Sequence, residues 1–177
     1  MDEREAIDAL VAGDLSGLEV LVNRHEAAGL RLAFAILGER ASAEDATDDA
    51  FVAVQRAIAG FDTRRPFRPW FLKIVANAAR KAARQSTRVW LAGLLPPTPV
   101  EPESVEESVI KGLEHERLAA AVATLPAIQR SVLVLHYELD MSEVRITEIL
   151  SCPVGTVKSS LHAAREQLRR TLADLCR

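Results

Sequence analysis

The sequence predicts an all-α protein made of two small helical domains joined by a Pro/Glu-rich linker. Three observations carry that expectation. Apolar residues recur with a 3.6-residue period along most of the chain, and no segment alternates apolar and polar residues convincingly. Ala and Leu are abundant, while aromatic residues make up only 5% of the 177 positions. The stretch Pro96 to Pro102 then places four prolines in seven positions, which removes donors and disfavours helix before each ring. The chain divides accordingly into residues 1–88, a linker at 89–107, and residues 108–177.

The elements follow in order. Leu18, Leu21, Val22, His25, Leu32 and Ile36 recur at helical spacing from Ser16 to about Leu37. Ser42 reads as an N-cap, with Glu44 and Asp45 in the first turn, where the helix dipole favours acids. Ala46, Ala50, Phe51, Val54 and Ile58 then form the apolar stripe of a helix ending near Gly60. Pro66 and Pro69 open a third helix through Trp70, Phe71, Ile74, Val75 and Ala78, running to about Arg88. Beyond the linker, periodicity resumes at about Val105 and continues through Leu118, Val122 and Leu125. Pro126 begins a helix from Ala127 to Leu139. Ser142 caps a short one ending near Leu150. Pro153 precedes the last, which extends to about Leu175.

Composition bounds the function. Lys and Arg total 22 against 25 Asp and Glu, a net charge of −3, which argues against coating nucleic acid by bulk charge. Hydrophobic residues are 49% and charged residues 27%, ordinary for a globular chain with a sizeable core, so disorder of the whole chain is excluded. Apolar runs such as Leu91 to Leu95 are too short to span a bilayer. The N-terminus is acidic and lacks the apolar segment of a secretory signal. Cys152 and Cys176 cannot make a disulfide framework. The expected compartment is the reducing cytoplasm.

Charge is unevenly distributed. Residues 63–88 hold Arg64, Arg65, Arg68, Lys73, Arg80, Lys81, Arg84 and Arg88 and no acid. Phe67, Trp70 and Phe71 are interleaved with them. Cations that hold phosphates beside faces that stack bases suit single-stranded nucleic acid. The alternative is an apolar core with a solvated basic face. Phe71 and Ile74 fit that core, whereas Arg64, Arg65, Arg68 and Lys81 fit phosphate. In the preceding helix Glu44, Asp45, Asp48 and Asp49 cluster. They form either a face for a basic protein partner or a solvated face.

Residues 141–150, the turn Ser151-Cys152-Pro153-Val154 and the helix from Gly155 to Arg165 make a helix-turn-helix, which places its second helix in the major groove. Val157 and Leu161 would pack inward on Ile146 and Ile149. Lys158 can reach a phosphate or a guanine edge, and Arg165, Arg169 and Arg170 can contact phosphates. An ordinary helical hairpin is the bland alternative.

Taken together, the two halves resemble the extracytoplasmic-function (ECF) sigma factors. The string from Pro66 to Asn77, PFRPWFLKIVAN, is similar to their −10 element segment. Residues 43–51, AEDATDDAF, are similar to their core-polymerase-binding helix. Leu125-Pro126-Ala127-Ile128-Gln129-Arg130 and Pro153-Val154-Gly155-Thr156-Val157-Lys158-Ser159 resemble their −35-binding domain. The resemblance covers nearly the whole chain in order and spacing. It implies an alternative sigma factor, not an enzyme, that binds core RNA polymerase, directs it to promoters and helps open the duplex. It further implies core contacts at Asp45, Asp48, Asp49, Phe51 and Val52. The −10 contacts would come from Arg64, Arg65, Phe67, Arg68, Trp70, Lys73, Asn77, Lys81 and Arg84. The −35 contacts would come from Thr156, Lys158, Ser159, His162 and Arg165. An anti-sigma factor is an implied partner. The linker acids Glu101, Glu103, Glu106 and Glu107 would lie near the polymerase cleft, as a nucleic-acid mimic or as a plain tether.

The chain departs from the family pattern in places. Lys81 stands where Asp is usual and Ser151 where Gly is usual. Val144 and Arg145 replace a common Glu-Glu. Ser160 and Ala163 replace arginines, which predicts weaker or differently specified −35 binding. No histidine pairs with a cysteine or acid at metal-ligand spacing. No glycine-rich phosphate loop or nucleophile context is present. No cofactor, metal or catalytic residue is therefore expected. Two other readings compete: a stand-alone helix-turn-helix regulator binding duplex DNA as a dimer, and a helical interaction module without a nucleic-acid role.

Overall fold

The computed structural model describes residues 1–91 and 109–175, with side chains placed for 1–86 and 116–173. The linker prolines and acids from Pro96 to Glu107, the predicted helix start at Val105 and Cys176 lie outside the described residues. Every regular element among the described residues is helical, and they form two small helical domains.

The first helix, α1 (Glu3–Val11), is not among the predicted ones. Asp2 caps it: its Oδ1 accepts from the Glu5 amide at 2.8 Å, and Glu5 Oε2 accepts from the Asp2 amide at 2.8 Å. This reciprocal pair satisfies two orphan donors. Ala6, Ile7 and Leu10 form its buried face. α2 (Ser16–Leu37) has the predicted bounds. The two helices cross at Gly17, where a Cβ would stand 2.1 Å from the Ala6 carbonyl oxygen.

α3 (Arg40–Ala57) begins earlier than expected. Its N-cap is Glu39, whose carboxylate accepts from the amides of Ala41 and Ser42 at 2.8 and 2.7 Å. Ser42 is thus inside the first turn, and Glu44 and Asp45 lie beyond it. The longer Glu side chain reaches the free amides from further back. A 3-10 turn (Ile58–Gly60) closes the helix. α4 (Phe67–Leu91) starts one residue after Pro66 and is the longest helix, 25 residues.

Aromatic side chains fill the core of this half. Phe51 stacks on Phe71 at 4.6 Å between ring centroids, Phe67 lies 6.1 Å from Phe71, and Phe61 lies 4.6 Å from Trp70. His25 is buried against Phe67 and Phe71. Its Nε2 donates to Glu3 Oε2 at 2.9 Å, and Arg24 approaches the same carboxylate at 3.6 Å. Burial holds the His25 ring below the ordinary histidine value, and the Glu3 carboxylate only partly opposes this.

The second half contains α5 (Val109–Ala123), α6 (Ala127–Leu133), α7 (Glu143–Leu150) and α8 (Val154–Leu175). The single helix expected from Ala127 to Leu139 widens after Leu133 into a π turn (Val134–Glu138), in which the Leu139 amide donates to the Val134 carbonyl at 2.9 Å. Ser142 caps α7, accepting from the Arg145 amide. Ser151 ends α7 in the left-handed conformation, at φ 49° and ψ 46°. Val157 and Leu161 of α8 are buried together with Ile146 and Ile149 of α7, as the spacing predicts.

The two domains meet along a seam, with α7 packed on α4 and α6 packed on α2. Arg80 Nη2 donates to the Leu150 carbonyl at 2.6 Å. Arg130 Nε donates to the Ala35 carbonyl at 2.8 Å, and its Nη1 to the Leu125 carbonyl at 2.6 Å. Arg65 lies 3.8 Å from Glu148. No helix among the described residues is long and apolar enough to cross a membrane.

Candidate nucleic-acid interface

α3 presents the predicted acids on one side. Asp45, Asp48, Asp49 and Val52 are exposed, and their spacing of three and four residues puts them on a single helix face. Phe51 is not part of that surface. It is buried against Phe71 on the opposite face, so it supports the helix from beneath and cannot touch a partner.

α4 and the loop before it carry the cations. Lys73, Asn77, Lys81 and Arg84 are exposed, Arg68 and Trp70 are half-buried, and Arg64 and Arg65 are exposed. Among the described residues, no acid forms an ion pair with Lys73, Lys81 or Arg84. Phe67 corrects the expectation: it is 1% exposed and cannot stack a base. Trp70, packed on Phe61 and Phe67 with one side toward solvent, is the aromatic placed to do so.

Two of the loop cations have acidic neighbours that a window starting at residue 63 misses. Asp62 accepts from the Arg64 backbone amide at 3.1 Å, and from Arg64 Nε and Nη2 at 2.9 Å each. The Arg64 guanidinium and amide hold the Asp62 carboxyl at a pKa of about 2. Arg65 faces Glu148 across the seam. The Asp62 bond joins residues two apart, a spacing common in loops, and was readable in the sequence. The Arg65 pair joins the two domains and left no local signal.

The helix-turn-helix differs in its electrostatics. Lys158, Ser159, His162 and Arg165 are exposed along α8, and Thr156 is half-buried. Ser160 is buried, consistent with a poor base contact there. Lys158 lies 3.9 Å from Glu143. Arg165 Nε donates to the Tyr137 hydroxyl at 2.7 Å, with its guanidinium 5.5 Å from the Tyr137 ring centroid. Tyr137, which sequence reading passed over, thus orients a predicted −35 cation. Arg169 is paired with Glu166.

A helical bundle with an acidic outer face and a cationic long helix, joined to a helix-turn-helix, defines a two-module transcription factor of the sigma type. Comparison with known proteins narrows this. Residues 21–89 match the sigma-70 region 2 model, and residues 115–168 match the sigma-70 region 4 model. The chain is 29% identical to the ECF RNA polymerase sigma factor SigW of Bacillus subtilis, covering 97% of each chain. It is also 29% identical to the ECF sigma factor SigL of Mycobacterium tuberculosis, covering 96% of each. The solved structure of CnrH in complex with the cytosolic domain of CnrY superposes with a TM-score of 0.67 at 25% identity, covering 97% of each chain. RpoE of Bartonella quintana, solved in complex with the anti-sigma factor NepR, has the same fold at a TM-score of 0.73, covering 88% of this chain and 96% of that one.

The chain belongs to the sigma-70 family of RNA polymerase sigma factors, in its ECF class. It is an alternative sigma factor, which binds core RNA polymerase and directs it to promoters for transcription initiation.

Proposed function

We propose that residues 1–88 form the polymerase- and −10-binding module and residues 108–177 the −35-binding module, joined by the linker at 89–107. The observation that carries this reading is charge segregation within one bundle. The α3 face of Asp45, Asp48, Asp49 and Val52 is acidic, while α4 is cationic along Lys73, Lys81 and Arg84. A single solvated surface has no reason to separate its charges in this way. A protein that stands between a basic partner and a polyanion does.

In this reading the α3 face docks on the clamp helices of the largest polymerase subunit. Val52, 46% exposed, supplies apolar area at the centre of the acids. The loop from Phe61 to Arg68 and the start of α4 then receive the displaced −10 strand. Unstacking a base costs a few kcal/mol. Stacking on Trp70, worth roughly 1–3 kcal/mol per base, and phosphate contacts from Arg68, Lys73, Lys81 and Arg84 offset that cost. Asn77, exposed on the same helix, offers both a donor and an acceptor to a base edge. The N-terminal turn of α8 enters the major groove with Lys158, Ser159 and His162 toward bases and Arg165 toward the backbone.

The chain acts in the cytoplasm and catalyses no reaction of its own. An anti-sigma factor is its expected regulator, since similar sigma factors were solved bound to such proteins. A stand-alone duplex-binding regulator fits less well, because a duplex reader has no use for a base-stacking aromatic such as the half-buried Trp70 set among Arg68 and Lys73.

Run-off transcription with purified core polymerase on a pool of genomic promoters tests the reading. The expected result is discrete start sites that depend on the chain. Failure to bind core or to initiate anywhere would overturn it. Asp48→Arg with Asp49→Arg should weaken core binding tenfold or more while leaving the melting curve unchanged. Undiminished affinity would return those acids to a solvated face.

A further inference from the structure

We infer that Tyr137 is itself a −35 contact, its hydroxyl and the Arg165 guanidinium closing as two prongs on one phosphate of the −35 duplex. This goes beyond the orienting role above and rests on the −35 reading of α8. Tyr137 is the only tyrosine of the chain and is 59% exposed. It stands on the π turn between α6 and α7, whereas Arg165 is exposed on α8. Arg165 Nε donates to the phenol oxygen at 2.7 Å, and the guanidinium carbon lies 5.5 Å from the ring centroid. The His136 ring meets the Tyr137 ring edge-on, with 4.7 Å between centroids. Two neighbours thus hold the phenol in one place.

Donors remain on both groups after they meet. The guanidinium keeps the N–H groups of Nη1 and Nη2, and the phenol, which accepts from Nε, keeps its own O–H. Among the described residues no acceptor takes that O–H, and no carboxylate pairs with Arg165. Lys158 and Arg169 differ, because their partners are Glu143 and Glu166. A carboxylate must be displaced before its cation meets a phosphate. A hydroxyl carries no charge and stays where it is. Hydrogen bonds from either prong to a phosphate are charge-assisted and strong, and a guanidinium oriented beforehand loses less entropy on binding.

The position suits the backbone more than a base. Lys158, His162 and Arg165 follow one another at four and three residues, so they share one exposed face of α8. At 1.5 Å per residue, Arg165 lies about 10 Å beyond Lys158 along the axis. That is close to the roughly 12 Å width of the major groove. A helix whose first turn enters the groove therefore brings Arg165 to the phosphate rim. The π turn supplies the second prong at the same place. Leu135 and Leu139 are in the core, and the wide turn between them leaves Tyr137 outside it, within reach of α8. Such turns recur at functional sites.

Holoenzyme reconstituted from core polymerase and the full chain, on a promoter recovered by run-off transcription, tests the clamp. Tyr137→Phe keeps the ring and its cation–π contact and removes only the hydroxyl. It should weaken promoter binding about three- to tenfold, with an unchanged circular dichroism melting curve. Methylphosphonates placed singly along the −35 backbone locate the phosphate. One position should cost the wild type several-fold in affinity and cost Tyr137→Phe less, because one bond to it is already gone. Arg165→Ala should lose sensitivity at the same position. Equal promoter affinity of Tyr137→Phe and wild type would overturn the clamp. So would a weakened Tyr137→Phe that keeps the wild-type methylphosphonate profile, or Tyr137 and Arg165 acting at different phosphates. Each of these results leaves the start sites of the wild type intact, so the clamp can fail while the sigma-factor reading stands, whereas absence of any start site would sink that reading itself.

Discussion

Aromatic rings and aliphatic side chains divide the molecule between them. In the N-terminal half, Phe51, Phe61, Phe67, Phe71 and Trp70 form one aromatic cluster, with His25 against Phe67 and Phe71. In the helix-turn-helix half, the largest fully buried side chains are Leu125, Leu135, Leu139, Ile146, Ile149 and Leu161. The electrostatics divide the same way. α4 carries unpaired cations, and Arg84 lies four residues beyond Arg80, a spacing at which like charges repel. In α8, Lys158, Arg165 and Arg169 are engaged by Glu143, Tyr137 and Glu166, and Arg170 is exposed. The half with the uncompensated cations of α4 is the half with the larger buried rings, which bury more area per residue and add ring-ring contacts. The half whose recognition-helix cations are mostly engaged holds with ordinary aliphatic packing.

The largest test of that contrast is Phe71→Ala, which removes a ring touching Phe51, Phe67 and His25. It should destabilise the chain by about 3–5 kcal/mol, read from denaturant unfolding followed by tryptophan fluorescence. Ile149→Val in the other half should cost only about 0.5–1.5 kcal/mol. Equal losses would mean that the aromatic cluster is not the main support.

The charge contrast is sharpened by salt. Lys73→Ala with Lys81→Ala should reduce the slope of log affinity against log salt, for a single-stranded −10 oligonucleotide, by about 0.7 per cation removed. Lys158→Ala should change duplex −35 binding less than a single unpaired cation would, because Lys158 must first leave Glu143. A larger effect at Lys158 would reverse the comparison.

A smaller gain should come from the turn of the helix-turn-helix. Ser151 is left-handed, a conformation that costs a residue with a Cβ about 1–2 kcal/mol. Ser151→Gly should therefore raise stability by about 1 kcal/mol, after the extra entropy of glycine in the unfolded chain. Thermal unfolding measures it, and no gain would mean that the serine side chain compensates locally.

The smallest effect is a slope in pH. Above the ordinary histidine value of 6.5, His25 is neutral in both states and stability is full. As pH falls below 6.5 the unfolded chain takes up a proton that the buried ring resists, so stability declines toward the lowered native value. Unfolding free energies between pH 7 and 5 should show this decline, and His25→Gln should flatten it.

Much of the architecture was legible because each helix advertises itself locally. α2 is bounded as its apolar period predicts, α7 begins at its serine cap, and α4 begins after its proline. α1 was overlooked although Asp2 and Glu5 form a capping box and Ala6, Ile7 and Leu10 repeat at helical spacing. Its acidic opening resembled a solvated terminus. Exposure was legible where charge alone decides, as at Asp48, Lys73 and Lys81. At Phe51 the helical period is right, since it puts the ring in the apolar stripe, and the partner role came only from the resemblance; Phe67, set among cations, reads as a stacking face although it is buried. The bond from Arg80 to Leu150 spans 70 residues, and no spacing rule reaches that far.

The seam also bears on how little adhesion this chain needs. Two separate proteins meeting through Arg65, Arg80 and Arg130 and the packing of α7 on α4 and α6 on α2 would associate only at sufficient concentration. Within one covalent chain the same contact is intramolecular, so its extent does not depend on dilution.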